Sequence, residues 1–213
     1  MNRRQRRWSL AAGAAIVLVI LFVVLWQLRT DRTVEFWSGD AVFPIRVIHG
    51  EQINDIELTD CPGVVGHVAY EGPTMVEGQP NWKAGHDYRG VSLRELLDRT
   101  GELGSAETVT LVALDGWYKT LPYHVVDGKT VAGTPLLALT VDEQMLGTWN
   151  NAPMLVFLPE DERFSNEDMV GALGEDYSHY FGENLSTTGL MVKGVAFVVI
   201  DYDGGELPTL SDL

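Results

Sequence analysis

The chain reads as an α+β protein: a mixed β-sheet domain carried behind one transmembrane helix. Three observations predict this. Residues 8–28, WSLAAGAAIVLVILFVVLWQL, are uncharged. Most of the remaining apolar residues fall in short runs bounded by Gly, Pro, Asn or Asp, the pattern of strands and turns. One stretch, YRGVSLRELLDRTG (88–101), carries a helical pattern.

The N-terminal run is 21 residues long and reaches about 30 Å as a helix, the thickness of a hydrocarbon core. NRRQRR precedes it, so the positive-inside rule keeps residues 1–7 cytoplasmic and exports the remainder. Trp8 and Trp26 stand where interfacial aromatics belong. A cleavable signal peptide has a shorter apolar run and small residues at its cleavage site, which LWQLRTDRT lacks. The expectation is a single-pass membrane protein: tail 1–7, anchor 8–28, stalk 29–41, and an extracytoplasmic domain over 42–213.

Along that domain, AVFPIRVIHG (41–50), INDIEL (53–58) and GVVGHVAY (63–70) read as strands. The Gly- and Pro-rich stretch 72–87 reads as a long loop. In the helical pattern, Ser92 and Glu95 have capping-box spacing, Leu93, Leu96 and Leu97 form the apolar face, and Gly101 stops it. ETVTLVAL (107–114) is a buried strand. Asp115-Gly116 is a hairpin signal, because a type I′ turn needs positive φ at both central residues. TPLLALTVDEQML (134–146) suits a helix or an extended segment. APMLVFLPED (152–161) is a strand stopped by Pro159, residues 162–189 hold no strong period, and LMVKGVAFVVIDYD (190–203) closes as a strand.

Charge bounds the partners. Five of the 15 basic residues precede Asp31, and all 30 acidic residues lie from Asp31 onward. Ten basic against 30 acidic residues leave that remainder at a net −20. Such a domain lacks the basic footprint of a nucleic-acid groove. Cys61 is the single cysteine, so no intrachain disulfide forms. The histidines, His49, His67, His86, His124 and His179, show no H-x-x-H or H-E-x-x-H spacing. No G-x-S-x-G, P-loop or C-x-x-C is present.

The order of the pieces carries a resemblance. YRGVSLRELLDRTG, then VTLVALDGWYKTLP, LLAL, APMLVFLPED and VKGVAFVVI resembles the oxidoreductase molybdopterin-binding domain, the sulfite oxidase fold, over residues 42–201. The resemblance implies an α+β domain of that type and molybdopterin as the cofactor. It makes Arg89, Asp115, Lys119 and Lys193 the cofactor-binding candidates, and it implies a redox partner in the envelope. It also makes the Asp-Gly-Trp hairpin fold-defining first and a pocket contributor second.

One feature departs from that family. Its enzymes hold molybdenum through the pterin dithiolene and one protein cysteine, a soft ligand for such a metal. Here the matching segment, IELTDC, places Cys61 too early and beside the turn signal Pro62-Gly63. Residues 67–76, where the ligand belongs, contain no cysteine. His67 and Cys61 are therefore the only metal candidates, and the missing cysteine argues against molybdenum. Two functions follow, with no catalytic residue assigned. One is a membrane-anchored molybdopterin-dependent oxidoreductase-like protein. The other is a binding module without the metal, taking a small molecule or another protein.

Overall fold

A computed structural model describes residues 44–76, 78–101, 106–145, 152–209 and 212. Fourteen strands are assigned among them. In chain order these are β1 (Pro44–His49), β2 (Gln52–Glu57), β3 (Val64–Val76), β4 (Gln79–Trp82), β5 (His86–Ser92), β6 (Thr108–Ala113) and β7 (Tyr118–Pro122). They continue with β8 (Thr134–Val141), β9 (Gln144–Met145), β10 (Met154–Leu158), β11 (Arg163–Phe164), β12 (Tyr180–Phe181), β13 (Asn184–Leu185) and β14 (Val195–Ile200). The α-helices are α1 (Leu93–Asp98) and α2 (Asn166–Leu173).

The strands form two main sheets. One has the order β2-β1-β14-β6-β7, with β1 and β14 parallel and the other pairs antiparallel. The other has the path β10-β8-β5-β3-β11, with β4 on β3 and β9 on β8. Their facing sides share one core. Ile45 and Val47, Val109 and Leu111, and Val198 and Ile200 from the first sheet join Val68, Tyr70, Val91, Leu137 and Phe157 from the second. The first sheet is also covered on its outer side, where Val112, Ala196 and Phe197 pack with Leu207. That double coverage explains why β6 and β14 read as continuous apolar runs rather than alternating ones.

The α+β expectation is corrected. Among the described residues, two helices of six and eight residues stand against fourteen strands, so the domain is mostly β and does not fit a sulfite-oxidase-type α+β unit behind a membrane helix. Period-two and continuous apolar patterns dominate, and the ambiguous 134–146 segment resolves as the β8–β9 hairpin as far as Met145. The single-pass, extracytoplasmic localisation is corrected too. No helix among the described residues is long and apolar enough to cross a membrane. Residues 1–43, with the expected tail, anchor and stalk, lie outside the described residues.

Three local expectations also change. The loop expected at 72–87 is largely a hairpin: β3 runs on to Val76 and pairs with β4, with a register shift between Gly72 and Val76. Such an irregularity accommodates Pro73, which cannot donate a ladder hydrogen bond. The Asp115-Gly116 turn has only Gly116 at positive φ (85°), so it is not type I′. Instead the Asp115 carboxylate accepts the Trp117 amide at 3.0 Å, an Asx turn. The stretch without a strong period contains α2, closed by a full capping box between Ser165 and Asp168.

Buried polar bonds lock α2 onto β3. The Glu71 carboxylate accepts the Asn166 amide at 2.8 Å, and the Asn166 side chain donates to the Gly72 carbonyl. Thr187 ties the following segment in: its amide donates to Asn166 Oδ1 and its hydroxyl to the Glu71 carbonyl at 2.7 Å. Residues 174–190 are thereby fixed at both ends, one by α2 and the other by Thr187.

Candidate functional site

The cofactor and metal candidates do not gather at one point. His67 lies on β3 opposite Asp87, with Nδ1 2.8 Å from Asp87 Oδ1. Arg89, two residues further along β5, has its guanidinium 3.5 Å from Glu143 Oε1. Both belong to the second sheet. Lys193 is exposed and bridges by backbone to Met154 on β10, the far edge of that sheet. β10 is three steps from β3 along the sheet path, yet the two strands meet, with Leu158 packed against Gly66.

Cys61 is a poor ligand where it stands. It follows the short 3-10 turn Leu58–Asp60, is buried, and points its sulfur at the Glu57 carbonyl 3.8 Å away. Burial pushes its thiol pKa up, away from the thiolate that binds metals. Among the described residues, no group of three or more His, Cys, Asp and Glu could hold a metal ion. The donor set expected for a molybdenum centre therefore does not fit: one candidate is a half-exposed imidazole paired with Asp87, and the other is a buried thiol.

Asp115 and Lys119 do come together, on the β6–β7 hairpin. Lys193 stands near them through the chain, since the Leu114 amide donates to the Gly194 carbonyl at 2.9 Å. Trp117, one residue before β7, and Lys119, within it, turn to the same side of the hairpin. That side meets the segment after α2. The Lys119 ammonium donates to the Ser178 carbonyl at 3.1 Å, and the Trp117 ring meets the His179 ring edge-on, 6.4 Å between centroids.

His179 is held from several directions. Its amide points at the Met169 sulfur on α2, and its carbonyl accepts the Ser186 amide at 3.0 Å. Its ring lies so close to the Gly189 backbone that a Cβ there would overlap it. Ser178, just before it, donates its hydroxyl to the Gly174 carbonyl at 2.7 Å. Phe181 on β12, two residues beyond His179, is 67% exposed, and Trp117 is 51% exposed.

The electrostatics of this corner are distinct in an acidic domain. Burial lowers the Lys119 pKa. The His179 pKa is lowered by burial first and by the Lys119 charge second. No carboxylate contributes to either shift. By contrast, Arg46, Arg94 and Arg99 pair with Asp55, Asp98 and Glu95, and Arg163 stacks over the Trp82 ring.

Sequence reasoning named Asp115 and Lys119 as cofactor candidates and did not name His179 or the Ser178 carbonyl, which meet this hairpin. Trp117 was visible as the aromatic of the Asp-Gly-Trp turn. The spacing of 178–181 carries no signal, because its relation to the hairpin exists only in three dimensions. No protein-family model matches the chain, and no curated protein matches it.

Proposed function

We propose that the domain is a binding module whose ligand site is the corner made by Trp117, Lys119 and His179. One observation carries this reading. A half-buried ammonium with one carbonyl partner among the described residues sits beside the Trp117–His179 ring pair, whose indole is half open to solvent. A few oriented polar groups set among apolar surface is the usual composition of a small-molecule site.

The ordered motifs shared with the oxidoreductase molybdopterin-binding domain support a second reading, a molybdopterin-dependent oxidoreductase-like protein. Its favouring observation is that two of the cofactor candidates, Asp115 and Lys119, lie on the hairpin that forms this corner. The two readings separate on metal content. The full-length chain, purified from a host that makes molybdopterin, is assayed for molybdenum and for fluorescent pterin released on denaturation. The binding-module reading expects no molybdenum. Near-stoichiometric molybdenum with pterin overturns it in favour of the oxidoreductase.

A further inference from the structure

We infer that the ligand of this corner is a small aromatic carboxylate, its ring against Trp117 and its single negative charge on the Lys119 ammonium. The inference rests on the binding-module reading and goes further by fixing the ligand's charge and shape.

Charge comes from the surroundings of Lys119. The ammonium carries three donors, and one of them reaches the Ser178 carbonyl. Half-buried and without an ion pair among the described residues, it favours an anion that would replace lost hydration with charge-assisted hydrogen bonds. The arginines do not supplement it. Arg46, Arg89, Arg94 and Arg99 are engaged with Asp55, Glu143, Asp98 and Glu95, and Arg163 with the Trp82 ring. One ammonium matches one negative charge, which suits a carboxylate better than a dianion.

Shape comes from the rings. Trp117 and Lys119 reach the adjacent residues His179 and Ser178, so an aromatic face and a cation stand two residues apart, about 7 Å along an extended chain. A benzoate-sized or naphthoate-sized molecule spans that distance between ring and carboxylate. His179 is held between Gly189 and Trp117, which limits how far the Trp117 ring can turn inward. Glu175, Asp176 and Glu183 of the neighbouring segment are exposed and make no ion pair with the Lys119 ammonium among the described residues.

The test is calorimetric titration of the full-length chain with 2-naphthoate, 2-naphthalenemethanol and 2-naphthylmethylamine. These share one ring system and differ in charge. Naphthoate is expected to bind roughly tenfold or more tighter than the amine, the range of a charge-assisted hydrogen bond. Lys119→Met should erase that preference while leaving the alcohol unchanged, and Lys119→Arg should restore part of it. Trp117→Ala should weaken all three. If the three probes bind alike and Trp117→Ala abolishes them, the corner binds ligands but the anion inference is overturned. If the amine binds best, it is overturned as well. If no probe binds, or if Trp117→Ala changes nothing, the reading of this corner as a ligand site fails and the inference falls with it.

Discussion

Tyr70 shows how single side chains hold this core. Its ring is buried against Phe164 at 5.7 Å, and its hydroxyl accepts the Phe157 amide at 2.6 Å. One phenol thus satisfies a backbone group of β10 from β3, two strands that are not neighbours in the sheet. Burial pushes the Tyr70 pKa well up, so the hydroxyl stays neutral. Tyr70→Phe keeps the packing and leaves the Phe157 amide without its partner, an expected loss of about 1–3 kcal/mol. Urea unfolding of the variant checks it; an unchanged midpoint would mean that the amide finds another acceptor. The corner at Lys119 follows the opposite logic, since among the described residues its ammonium keeps a single carbonyl partner. Asp115 and Lys119 were singled out by the resemblance, Asp115 also by the turn signal that it forms with Gly116. His179 was not, because nothing local marks the histidine that packs on a remote glycine.

The hairpins and helices differ in how far local chemistry decides them. Helix α1 forms where the Ser92 cap and the leucines place it, with the Glu95 amide donating to the Ser92 hydroxyl at 3.1 Å. The reciprocal half of that box is not made, and the Glu95 carboxylate pairs with Arg99 instead. Helix α2 has the complete box, and its cap also orients the Asn166 network. Ser165→Ala is expected to cost about 1 kcal/mol. The loss should appear both in thermal unfolding and in faster amide exchange through 166–173, since the cap holds that first turn. Exchange unchanged there would show that Asn166 alone positions the helix. The Asp142–Glu143 turn needed tertiary help. Both residues have positive φ (48° and 64°), a conformation that costs non-glycine residues. Asp142 is held there by the Asp87 amide at 3.0 Å and by His86 Nδ1 at 2.6 Å.

Across the domain, acidity and buried basic groups set opposite pH trends. The pKa of His179 is held below its ordinary 6.5. As pH falls through 6.5, the unfolded chain takes up a proton before the folded one, so folding stability drops. Asp55, Asp142 and Asp212 have pKa values held below 3.8 by Arg46, the Asp87 amide and the Thr209 amide respectively. Their stabilisation is present above 3.8 and lost below it, which is a separate window. Self-repulsion at −20 relaxes on acidification and works against the His179 effect. The difference between the parent chain and His179→Gln isolates the histidine. Its urea midpoint is expected to fall less than the parent's between pH 7.5 and pH 5. Equal falls would show that His179 titrates as freely in the folded state as in the unfolded one.

The sequence alone determined where most long strands lie, because a strand buried between sheets must be apolar along its length. It also determined α1, whose cap and leucine spacing are local, and the net charge. Tertiary structure decided the rest. The two-residue strands β9, β11, β12 and β13 have no periodicity of their own and exist because a partner strand is near. The mostly-β balance emerged only when 134–145 chose the sheet over a helix and 72–82 joined a hairpin. The candidate site is the furthest from the sequence: it needs the β6–β7 hairpin and the segment after α2 to meet, and that meeting is set by the buried Glu71–Asn166–Thr187 bonds rather than by any motif.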